Sequence, residues 1–261
     1  MVTYPQIDPV VLSLGPLKVH WYGLMYVIGF LGFLILGKYR AKQANSPVTP
    51  EQVDDMMFYG ALGVVLGGRI GYMLFYNFET LIHNPASFFQ VWDGGMSFHG
   101  GLLGVIFVMF ALAKKWKLKV LQIGDFVAPM IPIGLGAGRI GNFINGELWG
   151  KPSDVPWAMI FPNAGNIPRH PSQLYQFALE GVALFTLLWI FSRKSRPLGA
   201  ISGLFLIAYG IFRFIVEFVR VPDAQIGYIA WGWLTEGQLL STPMIVIGIG
   251  MIYWSYKLSK T

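Results

Sequence analysis

The chain contains no cysteine. Disulfides, thiolate nucleophiles and zinc-thiolate sites are therefore excluded from its own chemistry, and cysteine usage says nothing about redox compartment. Charge is also scarce. Only 12% of residues are Asp, Glu, Lys or Arg, against about 25% in a soluble domain. With 54% hydrophobic residues and 16% aromatic ones, and a mean hydropathy of +0.54, the chain is expected in a bilayer. The opening run MVTYPQIDPVVLSLGPLK has no basic segment ahead of the first apolar stretch, and no small-residue cleavage site follows that stretch. A cleaved signal peptide is not expected. Also missing are a Walker lysine loop, a G-x-S-x-G elbow, an H-E-x-x-H pair and the dense Asp cluster that holds Mg²⁺ in membrane alcohol phosphotransferases. Metal-dependent phosphoryl transfer is disfavoured, and neither a metal nor a cofactor is expected.

What is present suits a helical bundle in lipid. The 32 glycines and 16 prolines are many for soluble helices but fit close-packed transmembrane ones, where small residues let backbones approach. With about 20 apolar residues needed per crossing, spans are expected near 19–37, 57–76, 97–113, 122–142, 173–191, 199–218 and 238–256. The fold class is thus all-α, a polytopic integral membrane protein with seven transmembrane helices, forming a single transmembrane catalytic domain over residues 1–261. Lys38, Arg40 and Lys42 follow the first span, Lys114, Lys115, Lys117 and Lys119 the third, Arg193, Lys194 and Arg196 the fifth, and Lys257 and Lys260 the seventh. These basic residues share one side, which the positive-inside rule makes cytoplasmic, so the N-terminus is expected outside and the C-terminus inside. The net charge of +6 then follows from topology, and no nucleic-acid partner is implied. The longest outward connections, 143–172 and 219–237, read as structured loops or short interfacial helices.

Once the chain is oriented, its remaining polar residues cluster. His99, Asn142, Asn145, Glu147, Lys151, Arg169, His170, Arg220 and Asp223 all fall at or beyond outer span ends. In the sixth span Tyr209, Arg213, Glu217 and Arg220 lie within an arc of about 80°. Charges at membrane depth face a bundle interior or a wet cavity, and an Arg213–Glu217 structural pair is the simplest use of two of them. Gly63, Gly67 and Gly71 form small-xxx-small steps suited to a helix contact. Arg69, facing away from that stripe, is expected to pair with a carboxylate such as Glu180. Tyr26 lies a turn deeper than Tyr22 in the first span, as core or as a hydroxyl for a buried ligand. His99 sits beside Gly100, Gly101 and Gly104 at the start of the third span, where close backbone approach to a ligand is possible. The stretch GLGAGRIGNFINGELWG, Gly134 to Gly150, clears side-chain bulk around Arg139 and ends in Asn142, Asn145 and Glu147. An arginine fork with amide donors suits a phosphate oxyanion; a helix cap with a snorkelling arginine explains the asparagines but not the glycines. On these residues alone, a lipid-modifying enzyme and a transporter or scramblase are equally served, and a non-catalytic lipid-binding scaffold also fits.

GRIGNFINGE at Gly138 to Glu147 resembles the signature of the prolipoprotein diacylglyceryl transferase family. HWYGLMY at His20, GGRIGYMLFYN at Gly67, VWDGGMSFHGG at Val91, RHPSQLYQ at Arg169 and FRFIVEFVRVPDAQ at Phe212 extend the likeness, in order, over nearly the whole chain. The resemblance implies transfer of the diacylglyceryl group from phosphatidylglycerol to the lipobox cysteine thiol of a bacterial preprolipoprotein, with release of glycerol phosphate. The location implied is the outer side of the inner membrane, among membrane lipids. It supports His99 as the base that assists thiol deprotonation, with Glu147 as rival base or partner of Arg139. Arg139 and Arg220 clamp the phosphate, and Tyr26, Asn142, Asn145 and Gly100 contribute to lipid binding. A thioether product requires sulfur to attack carbon, so the enzyme needs no nucleophile of its own. A monomer is the expected working form.

Overall fold

The computed structural model describes residues 2–15, 17–90, 94–222 and 227–259. Residues 91–93 of one signature stretch, Asp223 to Gln225 of another, and Lys260 lie outside them. Among the described residues seven helices are long and apolar enough to cross a membrane: Trp21–Ala41, Pro50–Phe75, Phe98–Trp116, Val120–Ile144, Ser172–Phe191, Ala200–Glu217 and Glu236–Leu258. The protein is an all-α, multi-pass membrane protein. Each expected span overlaps one of these helices, the first starting two residues later than expected because Val19 and His20 belong to a strand. The second begins seven residues before its expected start, because Thr49 and Gln52 form a reciprocal capping box and Pro50 occupies the first turn. That cap carries the helix through Glu51, Asp54 and Asp55, a polar turn that an apolar window passes over.

The chain divides into two compact units, residues 37–126 and residues 1–36 with 127–261. In the first, helices α2 (Pro50–Phe75) and α4 (Phe98–Trp116) pack backbone to backbone. A Cβ on Gly63 would lie 2.9 Å from Gly104 O, and one on Gly71 would lie 2.9 Å from the Gly100 Cα. Lipid gives two apolar helices no solvophobic reason to associate, so this close approach and its dispersion contacts supply the attraction. Short helix α3 (Phe78–His83) and a 3₁₀ turn at Pro85–Phe89 follow α2. Ser97 caps α4 by accepting from Gly100 N at 3.2 Å. Lys38 and Asp54 pair at 2.7 Å, and Lys115 and Asp55 at 3.1 Å; both pairs are exposed and contribute little energy.

The second unit opens with strand β1 (Val2–Thr3), then a hairpin of β2 (Val10–Leu14) and β3 (Leu17–His20), which leads into α1 (Trp21–Ala41). The fourth span opens with α5 (Val120–Val127) and ends with α6 (Ile131–Ile144), and β1 pairs in parallel with β4 (Met159–Ile160) from the long loop after α6. Tyr4 OH donates to the carbonyls of Phe143 and Ile144 at 2.5 and 3.0 Å, so it satisfies acceptors that the end of α6 leaves open. Tyr4, Phe161 and Ala164 form a small core there with Phe143, Trp149 and Met159. The fifth span joins α7 (Ser172–Gln176), a π-helical segment Phe177–Ala183 and α8 (Leu184–Phe191). Helix α9 (Ala200–Glu217) packs on α10 (Glu236–Leu258) through Gly203 and Gly248, where a Cβ on Gly203 would stand 3.0 Å from Gly248 O. The apolar core of this unit gathers Ala128, Leu184, Leu188, Ile201 and Ala208.

Candidate active site

The second unit carries a chain of alternating charges. Arg139 on α6 sends Nε and Nη2 to Glu180 Oε2 at 3.3 and 3.2 Å. Glu180 Oε1 lies 4.0 Å from Arg213 Nη1 on α9, whose Nη2 pairs with Glu217 Oε1 at 2.8 Å. Glu217 also takes Arg220 Nη1 at 3.2 Å and accepts from Thr235 Oγ1 at 2.7 Å. The Arg213–Glu217 pair is therefore present, as part of something larger than a pair. Glu180 and Glu217 are buried to 0 and 1% exposure, while Arg139 keeps an 18% exposed side chain. Among the described residues this chain of charges holds three guanidinium groups and two carboxylates, and Arg220 has a further partner besides.

Local structure explains how these side chains meet. On α9 a spacing of four places Arg213 and Glu217 on one face, and Arg220, just past the helix end and bridged to Gly150, reaches Glu217 from there. Gly237, at the start of α10, leaves the room Glu217 needs, since a Cβ there would sit 2.7 Å from its Cδ. Gly136 meets Gly181 across α6 and the π segment, at 3.1 Å from a Cβ on Gly136 to the Gly181 Cα. Gly141 receives the Tyr22 ring, while Gly138 faces open space. The glycine clearing around Arg139 thus serves helix contacts at Gly136 and Gly141 and leaves space at Gly138. Among the described residues no protein acceptor meets Arg139 Nη1, so this donor remains available.

Beyond Arg139, α6 ends in a polar knot. Glu147 Oε1 accepts from Asn142 Nδ2 at 2.8 Å and from Asn145 Nδ2 at 3.3 Å, a turn made possible by Gly146 with φ +64°. Glu147 therefore engages the asparagines; the partner of Arg139 is Glu180. Gln173 Nε2 donates to Glu147 O, and Ser172 Oγ to Leu148 O at 2.8 Å. The loop then runs alongside the end of α9: Lys151 N reaches Val219 O at 2.7 Å and Lys151 Nζ reaches Phe218 O at 2.8 Å. Arg169 is spent on the carbonyls of Ala164 and Gly150. His170 Nδ1 lies 3.1 Å from Tyr175 OH, which Trp157 Nε1 also reaches at 2.6 Å. Burial lowers the His170 pKa below its ordinary value, with Asp154 pulling the other way.

The remaining expected residues have separate settings. Arg220 is 5% exposed, bonded to Glu217 and bridged through its backbone to Gly150. Tyr26 is 54% exposed, with its ring set edge-on to Tyr22 at 5.4 Å. In the other unit His99 is exposed in the first turn of α4, its ring edge-on to Phe98 at 5.7 Å, and Gly100 lies in the α2–α4 contact. The expected Arg69–Glu180 pair does not form. Arg69, 4% exposed, instead donates to the carbonyls of Ser87, Phe88, Gln90, Gly94 and Gly95. A guanidinium with five donors can gather the open acceptors of an irregular connection, which a carboxylate 111 positions away in the sequence cannot replace. Glu180, Gln176 and Thr235 were not singled out for the site by sequence, although a carboxylate inside the fifth span is itself a functional signal. Among the described residues no group of three or more His, Asp or Glu converges to hold a metal.

The family model described as prolipoprotein diacylglyceryl transferase matches residues 9–254. The chain belongs to that family. It is 62% identical over 257 residues to a phosphatidylglycerol–prolipoprotein diacylglyceryl transferase of Pseudomonas paraeruginosa, covering 98% of this chain and 97% of that one. Proteins of the same description are similar in Marinomonas, at 62% over 260 residues with 99 and 97% coverage, and in Methylococcus capsulatus, at 60% over 257 residues with 98% of each chain covered. The segment matched by the transferase family model contains every candidate residue in both units, from Tyr26 to Thr235.

Proposed function

We propose that this chain transfers the sn-1,2-diacylglyceryl group of phosphatidylglycerol to the lipobox cysteine of a bacterial preprolipoprotein, forming a thioether and releasing glycerol phosphate. The observation that carries the reading is the near full-length match to enzymes of that name, and the guanidinium groups gathered at Arg139, Arg213 and Arg220 are the chemistry the reaction asks for. Sulfur attacks the glycerol C3 carbon, the C–O bond breaks, and the phosphate leaves with the bond's electron pair as the monoester glycerol phosphate. Negative charge grows on that phosphate as the bond breaks, so fixed cations bind it more tightly in the transition state than in the ground state. Arg139 Nη1 is the available donor, and Arg213, which sequence reading gave to structure, joins Arg220 in supplying the field around it.

A free thiol has a pKa of about 8.5, so a base aids formation of the thiolate. We assign that task to His99, with Glu147 as the rival; the amides of Asn142 and Asn145 hold Glu147 in place. Tyr26, Asn142, Asn145 and the backbone at Gly100 orient the lipid. The same reading has one catalytic domain, a monomer, an outward N-terminus, an inward C-terminus, and a site on the outer side of the inner membrane. Incubation of the purified protein with phosphatidylglycerol and a lipobox peptide, with EDTA present, tests it. A peptide that gains one diacylglyceryl unit, and no adduct on the same peptide with Ser for Cys, is the expected outcome. Lipid movement across a vesicle membrane without any adduct would instead favour a scramblase.

A further inference from the structure

Glu180 and Glu217 belong to one charge chain but are held very differently. Glu217 makes contacts of 2.7 and 2.8 Å with Thr235 and Arg213, the lengths of strong charge-assisted bonds. Glu180 has 3.2 and 3.3 Å to Arg139, 3.3 Å to Gln176 Nε2 and 4.0 Å to Arg213. A wholly buried carboxylate recovers its desolvation cost only through close, well-satisfied contacts, and Glu180 lacks them. The groups around it are under-satisfied too: Arg213 Nη1 and Gln176 Oε1 are buried without a hydrogen-bond partner. The backbone beneath Glu180 is also unusual. It lies at the middle of the π-helical segment Phe177–Ala183, a register of marginal stability that often accompanies function, seated on Gly136 through Gly181.

We infer that Glu180 is a built-in counter-anion for the Arg139 fork. It occupies the guanidinium while the phosphate site is empty, yields it when a lipid phosphate arrives, and retakes it to expel glycerol phosphate after transfer. Its loose contacts make it displaceable. Glu217 keeps the rest of the chain fixed during the exchange. Glu180 is thus a positioning residue, acting on the reaction through Arg139. The inference rests on the reading of Arg139 as a phosphate clamp.

The test uses the full-length protein in phosphatidylglycerol-free nanodiscs, with glycerol phosphate as probe, for wild type and Glu180→Gln. Removal of the competing carboxylate charge is expected to tighten glycerol phosphate binding and product inhibition about tenfold. The apparent KM for lipid falls, kcat falls as release slows, and added glycerol phosphate raises the melting temperature more than in wild type. A merely structural Glu180 would lower kcat with product inhibition unchanged or weaker, and that result overturns the inference. Gln176→Leu removes a bond to Glu180 without altering charge; a shift in the same direction of about twofold is expected, and an unchanged inhibition constant in this variant overturns the inference even where Glu180→Gln does not fold. Wild-type adduct formation reports separately on the transferase reading: no adduct with tightened anion binding in Glu180→Gln fails that reading alone, whereas normal adduct formation without tightening fails only the counter-anion.

Discussion

Replacement of Arg139 by lysine keeps its charge and removes its shape. In the folded protein two of the arginine's N–H edges, Nε and Nη2, sit on Glu180 Oε2 at 3.3 and 3.2 Å, which fixes the guanidinium plane; in the proposed reaction that fork passes from Glu180 to the phosphate. A lysine ammonium has one nitrogen for both tasks. It keeps the charge but cannot present a planar fork to Glu180 and then to the phosphate. The loss is one charge-assisted hydrogen bond to the developing phosphate charge, about 1.5–3 kcal/mol. At about 1.36 kcal/mol per decade, Arg139→Lys is expected to lower kcat/KM by about 10- to 150-fold. The assay is the initial rate of diacylglyceryl-peptide formation followed by mass spectrometry, with a thermal melt to show that the charge-conserving variant remains folded. A variant within twofold of wild type would refute the fork geometry and leave Arg139 as a source of positive potential only.

Three further outcomes are expected. His99→Ala should reduce turnover at neutral pH by about a hundredfold, the usual contribution of a general base; near-normal turnover would transfer the role to Glu147. Gly67→Val should abolish the α2–α4 contact, because a Cβ at Gly67 collides with Gly100 O, and a melt in detergent should show the loss of the folded state; a wild-type melt would mean the helices separate at no cost. His170 has its pKa lowered by burial, so the fold favours its neutral form. The stability it contributes is full above the ordinary value of about 6.5 and erodes as pH falls through that value toward the folded one. Proteolysis of the loop over residues 145–171 is therefore expected to quicken on acidification from about pH 7.5 to about pH 5 in wild type, and to stay flat in His170→Gln.

The spans were legible because lipid imposes a length and a composition on each crossing, and the glycine stripe of α2 was legible because small residues at every fourth position have few other uses in a helix. The Arg213–Glu217 pair followed from i,i+4 spacing alone. Partners remote in sequence did not. Arg69 suggests a buried carboxylate, yet it serves five backbone carbonyls of the connection after α2, and carbonyls leave no trace in side-chain pattern. Glu180 looked like a partner for Arg69 because an isolated carboxylate carries no address; its link to Arg139 depends on a π segment that periodicity does not reveal. The clasp of Glu217 by Thr235 arises from the fold of the intervening loop. In the same way the knot of Asn142, Asn145 and Glu147 was visible as a polar cluster, while the fact that the amides hold the glutamate became clear only in three dimensions.

The central claim is that a thiol displaces phosphate at carbon, and isotope transfer tests it directly. Phosphatidylglycerol would carry heavy oxygen at the single bridging position between the diacylglyceryl C3 and phosphorus, and the protein would act on it with the cysteine lipobox peptide. Both products are then weighed by mass spectrometry. The account predicts a peptide enlarged by one diacylglyceryl unit with all of the label in the released glycerol phosphate. Glycerol phosphate without the label, or an unmodified peptide from folded, lipid-binding protein, would contradict it.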